Sequence, residues 1–459
     1  MILTLNLLFV LMCLTIPGKI ESIEKGIATV ISARERAQID LSLVFEAQVG
    51  DWILYATNRA VKVISEEDAK EIISLLEDKY HPVDVSKLPL QFKKIIFKVR
   101  SGNSDLTKDE ILYLLSLKGP NNLETLFAEA NTLRKERIKD FICIHGIIEF
   151  SNYCKNSCLY CGIRKENKVP RYRLNSKEII DTAYDAVENE GYKLLVLQSG
   201  EDDSYSDADL IDLIVKIKQK MKVFVFISVG ERSEKFYQEA YEAGATGSLI
   251  RFETSNSELY TKFRPKKYLK DRVKLIKAMI KMGYYVASGN MVGLPGQSLE
   301  DIADDLLMIK SLGVPMISAG PYIEAKGTPL ANPKKQETRN NHTLNPESCD
   351  LSPESYDLNP KSQLELMLKF IAVARFMMPD VKIPVTTALE TLDPENGRHR
   401  GLLAGANALM FNLTPEKFAK NYSIYDNKYR EREKVWQKYG LFKGEESWEM
   451  LEEKLMLDK

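Results

Sequence analysis

The chain has 459 residues and only six cysteines, Cys13, Cys143, Cys154, Cys158, Cys161 and Cys349. Three of them fall within eight residues and the rest are scattered, which makes a poor disulfide framework and points to a reducing compartment. An excess of charge of one sign is lacking too: 64 Lys and Arg stand against 65 Asp and Glu, a formal net charge of -1. Nothing general therefore suggests nucleic acid or an anionic membrane surface as partner. No apolar run is long enough to span a bilayer. Ile2 to Leu14 imitates an export signal, but no Lys or Arg precedes it and the bulky Met12 stands where a cleavage site wants a small residue. Export is therefore not expected, and the location expected is cytoplasmic. The alternative for this stretch is a start at Met12, which would put Cys13 directly after the initiator. With 44% hydrophobic and 28% charged residues, the composition is that of a soluble globular chain of two to four domains.

Alternating segments at "GIATVISA", "AQIDLSLVF" and "DWILYATNRAVKVI" predict a small β-barrel unit over residues 12–79, closed by the helix "SEEDAKEIISLLEDKY". Pro82 and Pro89 mark residues 80–104 as a linker, and 105–140 read as a helical lead-in. From 141 to 425 strand-like runs alternate with amphipathic helix patterns: "FICIHGIIEF", "KLLVLQSG", "KVFVFISVG", "GSLIRFET", "YYVASGNMVG", "MISAGPYI", "KIPVTTAL" and "ALMFNLTP". Eight such units over roughly 250 residues or somewhat more predict a complete (β/α)8 barrel. The fold class expected is thus α/β, with a small all-β barrel in front. A polar Asn, Pro and Ser-rich stretch at about 333–362 reads as a surface insertion after the sixth strand, and 426–459 as solvated C-terminal helices.

The motif that carries chemistry is "CKNSCLYC", with Cys154, Cys158 and Cys161 directly after the first barrel strand, on the rim where such barrels place their sites. Thiolates suit zinc or an iron-sulfur cluster. A structural zinc site needs a fourth ligand, and no second Cys or His pair supplies one at knuckle spacing; Cys143 lies within the strand. The alternative is a 4Fe-4S cluster on three cysteines, leaving one iron open to a small molecule. This spacing, with Tyr160 before the last cysteine, resembles the radical S-adenosylmethionine (SAM) superfamily. In that family SAM is the fourth ligand, and electron transfer to its sulfonium yields a 5'-deoxyadenosyl radical. The resemblance implies one 4Fe-4S cluster and SAM as cofactors, and a reductant such as ferredoxin or flavodoxin. Ser199, Gly200 and Glu201 stand where the family grips the methionyl ammonium. Arg251 and Glu253 end the fourth strand, where Arg pairs a carboxylate and Glu accepts from ribose hydroxyls. Arg272 is a second carboxylate partner, and Met291 opens the matching run "MVGLPGQS".

From about 105 to 425 the chain resembles the HydE family of FeFe-hydrogenase maturases more than biotin synthase or methylornithine synthase. "HGIIEFSNYCKNSCLYCGIRKENKVPRYRL", "VLQSGED", "ISVGER", "LIRFETSN", "GPYIEAKGTPLAN" and "GANALMFNLTP" recur in order. The resemblance implies a small iron carbonyl-cyanide complex carrying cysteine as substrate, and other hydrogenase maturases as partners. Gln198, Met410, Tyr422 and Tyr425 would then face the substrate. Two departures stand out. No cysteine follows Cys349, so one cluster is expected rather than two, and Phe226 replaces a small hydroxyl residue, which is expected to narrow the cavity.

Residues 12–79 resemble the small HypC/HupF chaperones of nickel-iron hydrogenase maturation, on "MCLTIPGKI", "VGDWILYATNRAVKVI" and "EEDAKEIISLL". Cys13 matches the cysteine that carries iron there, while the histidine and glycine usual near Ala56 and Asn58 are missing, so iron carriage and a docking role both stand as readings. For the whole chain, an amino-acid substrate and a docking scaffold with a structural cluster are the alternatives to a hydrogenase maturase.

Overall fold

The computed structural model describes residues 16–32, 36–56, 59–76, 88–138, 142–331 and 359–428. The alternating segments near the N-terminus form β1 (Ile16–Glu24), β2 (Ile27–Ser32), β3 (Arg36–Asp40), β4 (Trp52–Ala56) and β5 (Arg59–Ile64), a closed barrel in the order β1-β2-β3-β5-β4. Successive side chains of a strand point to opposite faces, which puts Ala28, Val30, Ile39, Ile53 and Tyr55 into one core. Helix α1 (Glu66–Leu76) follows, its first turn held by the Ser65 hydroxyl accepting the Asp68 N–H at 3.0 Å. Cys13 lies outside the described residues.

The stretch expected to be a linker differs from expectation, because Leu90–Arg100 is a helix, α2. Pro89 occupies its N-cap position, where a missing N–H costs nothing, and Phe92, Ile95, Ile96 and Val99 bury one face at helical spacing. The proline marked a helix start, not a coil. Helices α3 (Lys108–Ser116) and α4 (Pro120–Ile138) complete the lead-in. A capping box between Thr107 and Glu110 starts α3.

Eight parallel strands make the main sheet: β6 (Cys143–Ser151), β7 (Leu194–Ser199), β8 (Phe224–Ser228), β9 (Gly247–Leu249), β10 (Tyr285–Ser288), β12 (Met316–Ile317), β14 (Pro384–Val385) and β15 (Ala408–Asn412). Their order is β12-β10-β9-β8-β7-β6-β15-β14. The two edges meet at one bridge, Met316 with Lys382, where the Ile317 N–H donates to Lys382 O at 2.8 Å and the Lys382 N–H to Pro315 O at 3.0 Å. The ring therefore closes as a (β/α)8 barrel. Short strands β11 (Met291–Val292) and β13 (Gly320–Pro321) pair in parallel beyond β10 and β12.

The connecting helices are α5 (Ser176–Tyr184), which runs into a π-helical turn at Asp185–Asn189, then α6 (Asp207–Lys220), α7 (Glu234–Glu242), α8 (Ser257–Phe263), α9 (Leu269–Met282), α10 (Leu299–Leu312), α11 (Pro360–Met377), α12 (Thr387–Leu392), α13 (Gly397–Leu403) and α14 (Glu416–Ala419). Capping boxes start α5, α6 and α10. Helix α11 is buried almost all round because α3 and α4 cover its outer face. The insertion expected at about 333–362 lies outside the described residues, save its last four, Asn359 and the start of α11. The expected C-terminal helices lie outside them from residue 429 on. Among the described residues no helix is long and apolar enough to cross a membrane.

The lower barrel interior is filled by Cys143, Ile147, Leu194, Val196, Phe226, Tyr285, Met316 and Met410. His145 joins this layer, stacked 6.3 Å from Phe226, with its Nε2 3.2 Å from Cys143 Sγ. Burial and the nearby Lys382 push its imidazole down to about 3, so it stands neutral. Phe226, expected to narrow the cavity, is not part of the cavity wall; it lies beneath as floor, edge-on to Tyr285 at 5.9 Å. It fits there because Gly247 faces it: a Cβ on Gly247 would meet the Phe226 ring at 2.2 Å. Gly247→Ala should accordingly lower stability by about 1–3 kcal/mol, read as a lower urea midpoint at unchanged slope.

Candidate active site at the barrel mouth

A cavity of about 270 Å³ opens at the carboxyl ends of the barrel strands. Its wall includes Cys154, Cys158 and Cys161, all three free thiols. The loop that carries them leaves β6 and turns sharply back on the end of β7. The Gly200 N–H donates to Ser151 O at 3.0 Å and the Lys155 N–H to Glu201 O at 2.9 Å. This approach requires glycine, since a Cβ on Gly200 would lie 2.2 Å from Tyr153 O and 2.8 Å from Cys154 Cβ.

The loop's shape is fixed from inside by one arginine. Arg171 Nη1 donates to the carbonyls of Asn152 (2.6 Å) and Ile163 (2.8 Å), and Nη2 to those of Arg164 (2.7 Å) and Asn167 (2.9 Å). A planar guanidinium can hold four carbonyls at once; an ammonium cannot match that geometry. On the outer side the Gly162 N–H donates to Ile424 O at 2.8 Å, and a Cβ on Gly162 would meet Ser423 O at 2.1 Å. The segment around 421–428 thus lies directly against the cysteine loop.

The polar groups expected at the strand ends all face the same cavity: Tyr160 from the loop, Ser199, Gly200 and Glu201 from β7, Arg251 and Glu253 after β9, Arg272 from α9 and Met291 from β11. Glu253 has φ +69°, a backbone conformation unusual for a residue with a side chain. The Glu253 N–H donates to Gly289 O at 3.1 Å and its carbonyl accepts from the Met291 N–H at 2.8 Å. Gln198, Met410, Tyr422 and Tyr425 line the cavity as well. Gln198 Nε2 donates to the Tyr422 hydroxyl at 3.4 Å, and Tyr425 and Thr387 share a hydrogen bond of 2.8 Å.

The sequence did not reveal the charge network behind these groups. Arg272, read as a ligand partner, meets Glu231 at 2.8 Å. Glu231 also accepts from Lys267 at 2.6 Å and stands 3.9 Å from Arg264, which in turn lies 3.8 Å from Glu201. Burial works against the Glu231 anion, yet Arg272, Lys267 and Arg264 outweigh it and hold its carboxyl below the usual range. Glu231 was visible only as part of "ISVGER" and Arg264 as one of several cations in "KFRPKKY". Glu149, Asn412 and Lys428 are three further wall residues without a clear signal, although a Glu inside the apolar run "GIIEF" was an anomaly to follow.

The residues present fit the expected cofactors. The Oε2 atoms of Glu201 and Glu253 are buried and accept no hydrogen bond; their neighbours there are cations, Lys267 3.9 Å from Glu201 and Arg251 3.2 Å from Glu253, so both carboxylates stand at the cavity as charged acceptors suited to an ammonium and to hydroxyls. Burial pushes the Cys154 and Cys161 thiols up, Cys161 furthest, with repulsion from neighbouring cysteines adding to it. Thiols in that setting ionise when a cation binds them. Among the described residues no group of three or more His, Cys, Asp or Glu is set to hold a single metal ion; the thiolates of a cluster each bind a separate iron and need no common point.

Behind the cavity one carboxylate ties two rim segments together. Asp305 on α10 is wholly buried. Its Oδ1 accepts the Ser255 N–H at 2.5 Å, and its Oδ2 accepts from Asn290 at 2.7 Å and Gln297 at 3.0 Å. Ser255 follows Glu253 by two residues and Asn290 immediately precedes Met291. Burial pushes the Asp305 carboxyl up to about 7 in spite of these donors.

Residues 148–309 match the radical SAM superfamily, and residues 12–76 match the HupF/HypC family. The FeFe hydrogenase maturase subunit HydE of Thermotoga maritima is 38% identical over 325 residues, 71% of this chain and 85% of its own length. The 3-methylornithine synthase of Methanosarcina acetivorans is 28% identical over 331 residues, 72% of this chain and 86% of its own. Among solved structures, methylornithine synthase aligns with a TM-score of 0.62 at 27% identity, covering 74% of this chain and 92% of that one. HydG, a maturase of the FeFe-hydrogenase, shares the fold with a TM-score of 0.59 at 18% identity, over 79% of this chain and 76% of its own.

Arg171→Ala should leave the barrel folded but drop iron retained after anaerobic reconstitution from about four per chain to below two, with Arg171→Lys recovering only part; iron and sulfide assays decide. For Asp305 the sign follows from its raised carboxyl. A proton held in the fold up to about pH 7 gives a stabilising contribution that is complete below the unfolded value near 4 and lost as pH rises through 7. Asp305→Asn, which cannot ionise, should therefore gain in urea midpoint relative to the parent between pH 5.5 and 8.

Proposed function

The chain belongs to the radical SAM superfamily and, within it, to the HydE family of hydrogenase maturases, and from that premise we propose that it makes a 5'-deoxyadenosyl radical for hydrogenase metallocofactor assembly. The observation that carries this reading is the meeting, in one cavity, of three free thiols with the carboxylates of Glu201 and Glu253, each of which has an oxygen that accepts no hydrogen bond and has a cation nearby. A 4Fe-4S cluster with SAM on its open iron supplies reductive cleavage of the sulfonium when both are bound. Cys154, Cys158 and Cys161 would hold the cluster, and Gly200 lets their loop reach β7. Glu201 accepts from the methionyl ammonium, with Ser199 and the Gly200 backbone beside it. Arg251 and the buried Arg264 and Arg272 place positive charge where the methionyl carboxylate must lie. Glu253, held in its left-handed conformation, accepts from the ribose hydroxyls, and Met291 and Tyr160 pack the nucleoside.

Gln198 on β7, Met410 on β15, and Tyr422 and Tyr425 beyond it would meet the substrate. A small iron complex bearing an amino acid fits the HydE relationship. A free amino acid is the second reading, favoured by the likeness to methylornithine synthase in sequence and fold. The floor at Phe226 limits either substrate to the upper barrel. The N-terminal HupF/HypC domain would hand over or receive an iron complex, with Cys13, inside the matched span 12–76, as the carrying group. Partners follow from this reading: other maturases, and a low-potential reductant such as ferredoxin or flavodoxin, in the cytoplasm.

Anaerobic reconstitution should give about four irons per chain, and dithionite with SAM should release 5'-deoxyadenosine. Absence of SAM cleavage in iron-loaded protein would sink the proposal. Cys158→Ala should abolish both cleavage and hydrogenase assembly in cells; unchanged assembly would instead support a docking scaffold.

A further inference from the structure

Charge at the barrel mouth is divided between two sides. Glu201, Arg251, Glu253, Arg264 and Arg272 stand on the side of β7 to β11. Across the barrel, where β6 adjoins β15, the wall holds one more pair, Glu149 and Lys428. Among the described residues Lys428 is the one lysine of the cavity wall, and its Nζ donates to Glu149 Oε1. Asn412 Nδ2 donates to the other oxygen, Oε2, at 3.0 Å. The Glu149 backbone is fixed as well, its N–H donating to Thr414 Oγ1 at 2.8 Å and its carbonyl accepting from the Tyr172 hydroxyl at 2.7 Å. The side chains of Glu149 and Lys428 are only 3% and 2% exposed, and Lys428 Nζ lies 4.8 Å from the centre of the Tyr422 ring.

Taking two charges out of water for one contact is poor stabilisation, and apolar residues of the same size usually serve a core as well or better. A buried pair that also lines a cavity has both heads available to a ligand that arrives there. The sign pattern selects among ligands. A simple anion would draw Lys428 away and leave Glu149 with Asn412 alone; a simple cation would do the reverse. A ligand bearing both charges on neighbouring atoms keeps every charge matched, its carboxylate on Lys428 and its ammonium on Glu149.

We propose that Glu149 and Lys428 form the subsite that binds the α-amino acid head group of the substrate. This assignment rests on the function proposed above, because it takes the SAM site to be the other side of the mouth. Asn412 holds Glu149 in place when the ammonium arrives, and the Tyr422 ring faces the lysine head.

The test uses full-length, iron-loaded protein with SAM, and three probes of one size: L-2-aminobutyrate, its amide, which lacks the carboxylate, and butyrate, which lacks the ammonium. The parent should bind aminobutyrate at least about tenfold more tightly than either analogue. Because removing one charge strands its partner, the informative variant is the double one, Glu149→Gln with Lys428→Met, which removes both charges at similar volume. It should retain iron and a parent-like urea midpoint, and bind the three probes alike. Equal binding of all three by the parent, no binding of aminobutyrate, or an undiminished preference in the folded double variant would each overturn the assignment. A double variant that does not fold would make the pair structural, and would overturn it too. Cleavage of SAM by the parent is measured beside these. Its failure counts against the function proposed above, and its success together with any of the contrary outcomes counts against this pair alone.

Discussion

The close approach of the cysteine loop to the end of β7 is the constraint on which the rest of the mouth depends. At Gly200 two backbones pass so near each other that a single methyl group would overlap Tyr153 O at 2.2 Å. The contact does two things at once. It brings Cys154 beside the Ser199 to Glu201 turn, and it fixes the direction in which Glu201 leaves that turn. Gly230 extends the constraint to the end of β8, since a Cβ there would meet Glu201 Cγ at 2.1 Å and its carboxylate at 2.6 Å. Three strands are therefore locked in register at the rim by absent side chains, and Arg171 locks the loop between them by its four carbonyls. Sites built this way hold their geometry without help from a ligand.

Around that frame, electrostatics is arranged by pairing rather than by net charge. Glu231 binds Arg272 and Lys267 closely and Arg264 more loosely. Three cations near one carboxylate leave two positive charges over; Glu201 and Glu253 match them in number, and Arg251, 3.2 Å from Glu253, adds one more. A ligand with one carboxylate and one ammonium leaves that count unchanged and can set each of its charges against an opposite one. The sulfonium of SAM would add a further positive charge, offset by a cluster that its three thiolates leave net negative. Burial raises the weight of each of these terms, since water no longer screens them.

Much of the fold was legible because the barrel repeats a simple pattern. The eight apolar runs became the eight parallel strands, since each is flanked by a helix that must cover it. Helix α2 escapes the pattern because Pro89, which starts a helix, looks in the sequence like a proline that breaks one. At the site, residues were legible when they ended strands: Glu201, Arg251 and Glu253 could be placed on the rim by counting from the strand. Those that reach the cavity from elsewhere were not. Lys428 arrives from a turn some sixteen residues beyond β15, and its partner Glu149 sits three residues before the loop in a strand that otherwise reads as core. Asp305 faces inward from a helix whose outer side carries Glu300 and Asp304, so its charge looked like solvent-facing charge. Phe226 was noticed, but its position as floor depends on Gly247 two strands' length away in sequence, a pairing that no local pattern displays.

The layering of the barrel follows from what a radical needs. A carbon radical abstracts hydrogen from C–H bonds within contact, so its cavity must hold the substrate close and leave other groups little room to move in. The lower interior meets this by filling itself with Phe226, Tyr285, Met316 and neutral His145. The upper wall meets it differently. There the polar side chains are already bonded to one another, Gln198 to Tyr422, Tyr425 to Thr387 and Glu149 to Asn412 and Lys428. On the side assigned to SAM, Glu201 and Glu253 each keep an oxygen that accepts no hydrogen bond and stands near a cation. There the charged groups stand ready for a ligand; on the other side the charged pair is bonded until a matching charge pattern exchanges with it. Selectivity on that second side then rests on exchange of partners, which disfavours any ligand that strands one charge of the pair.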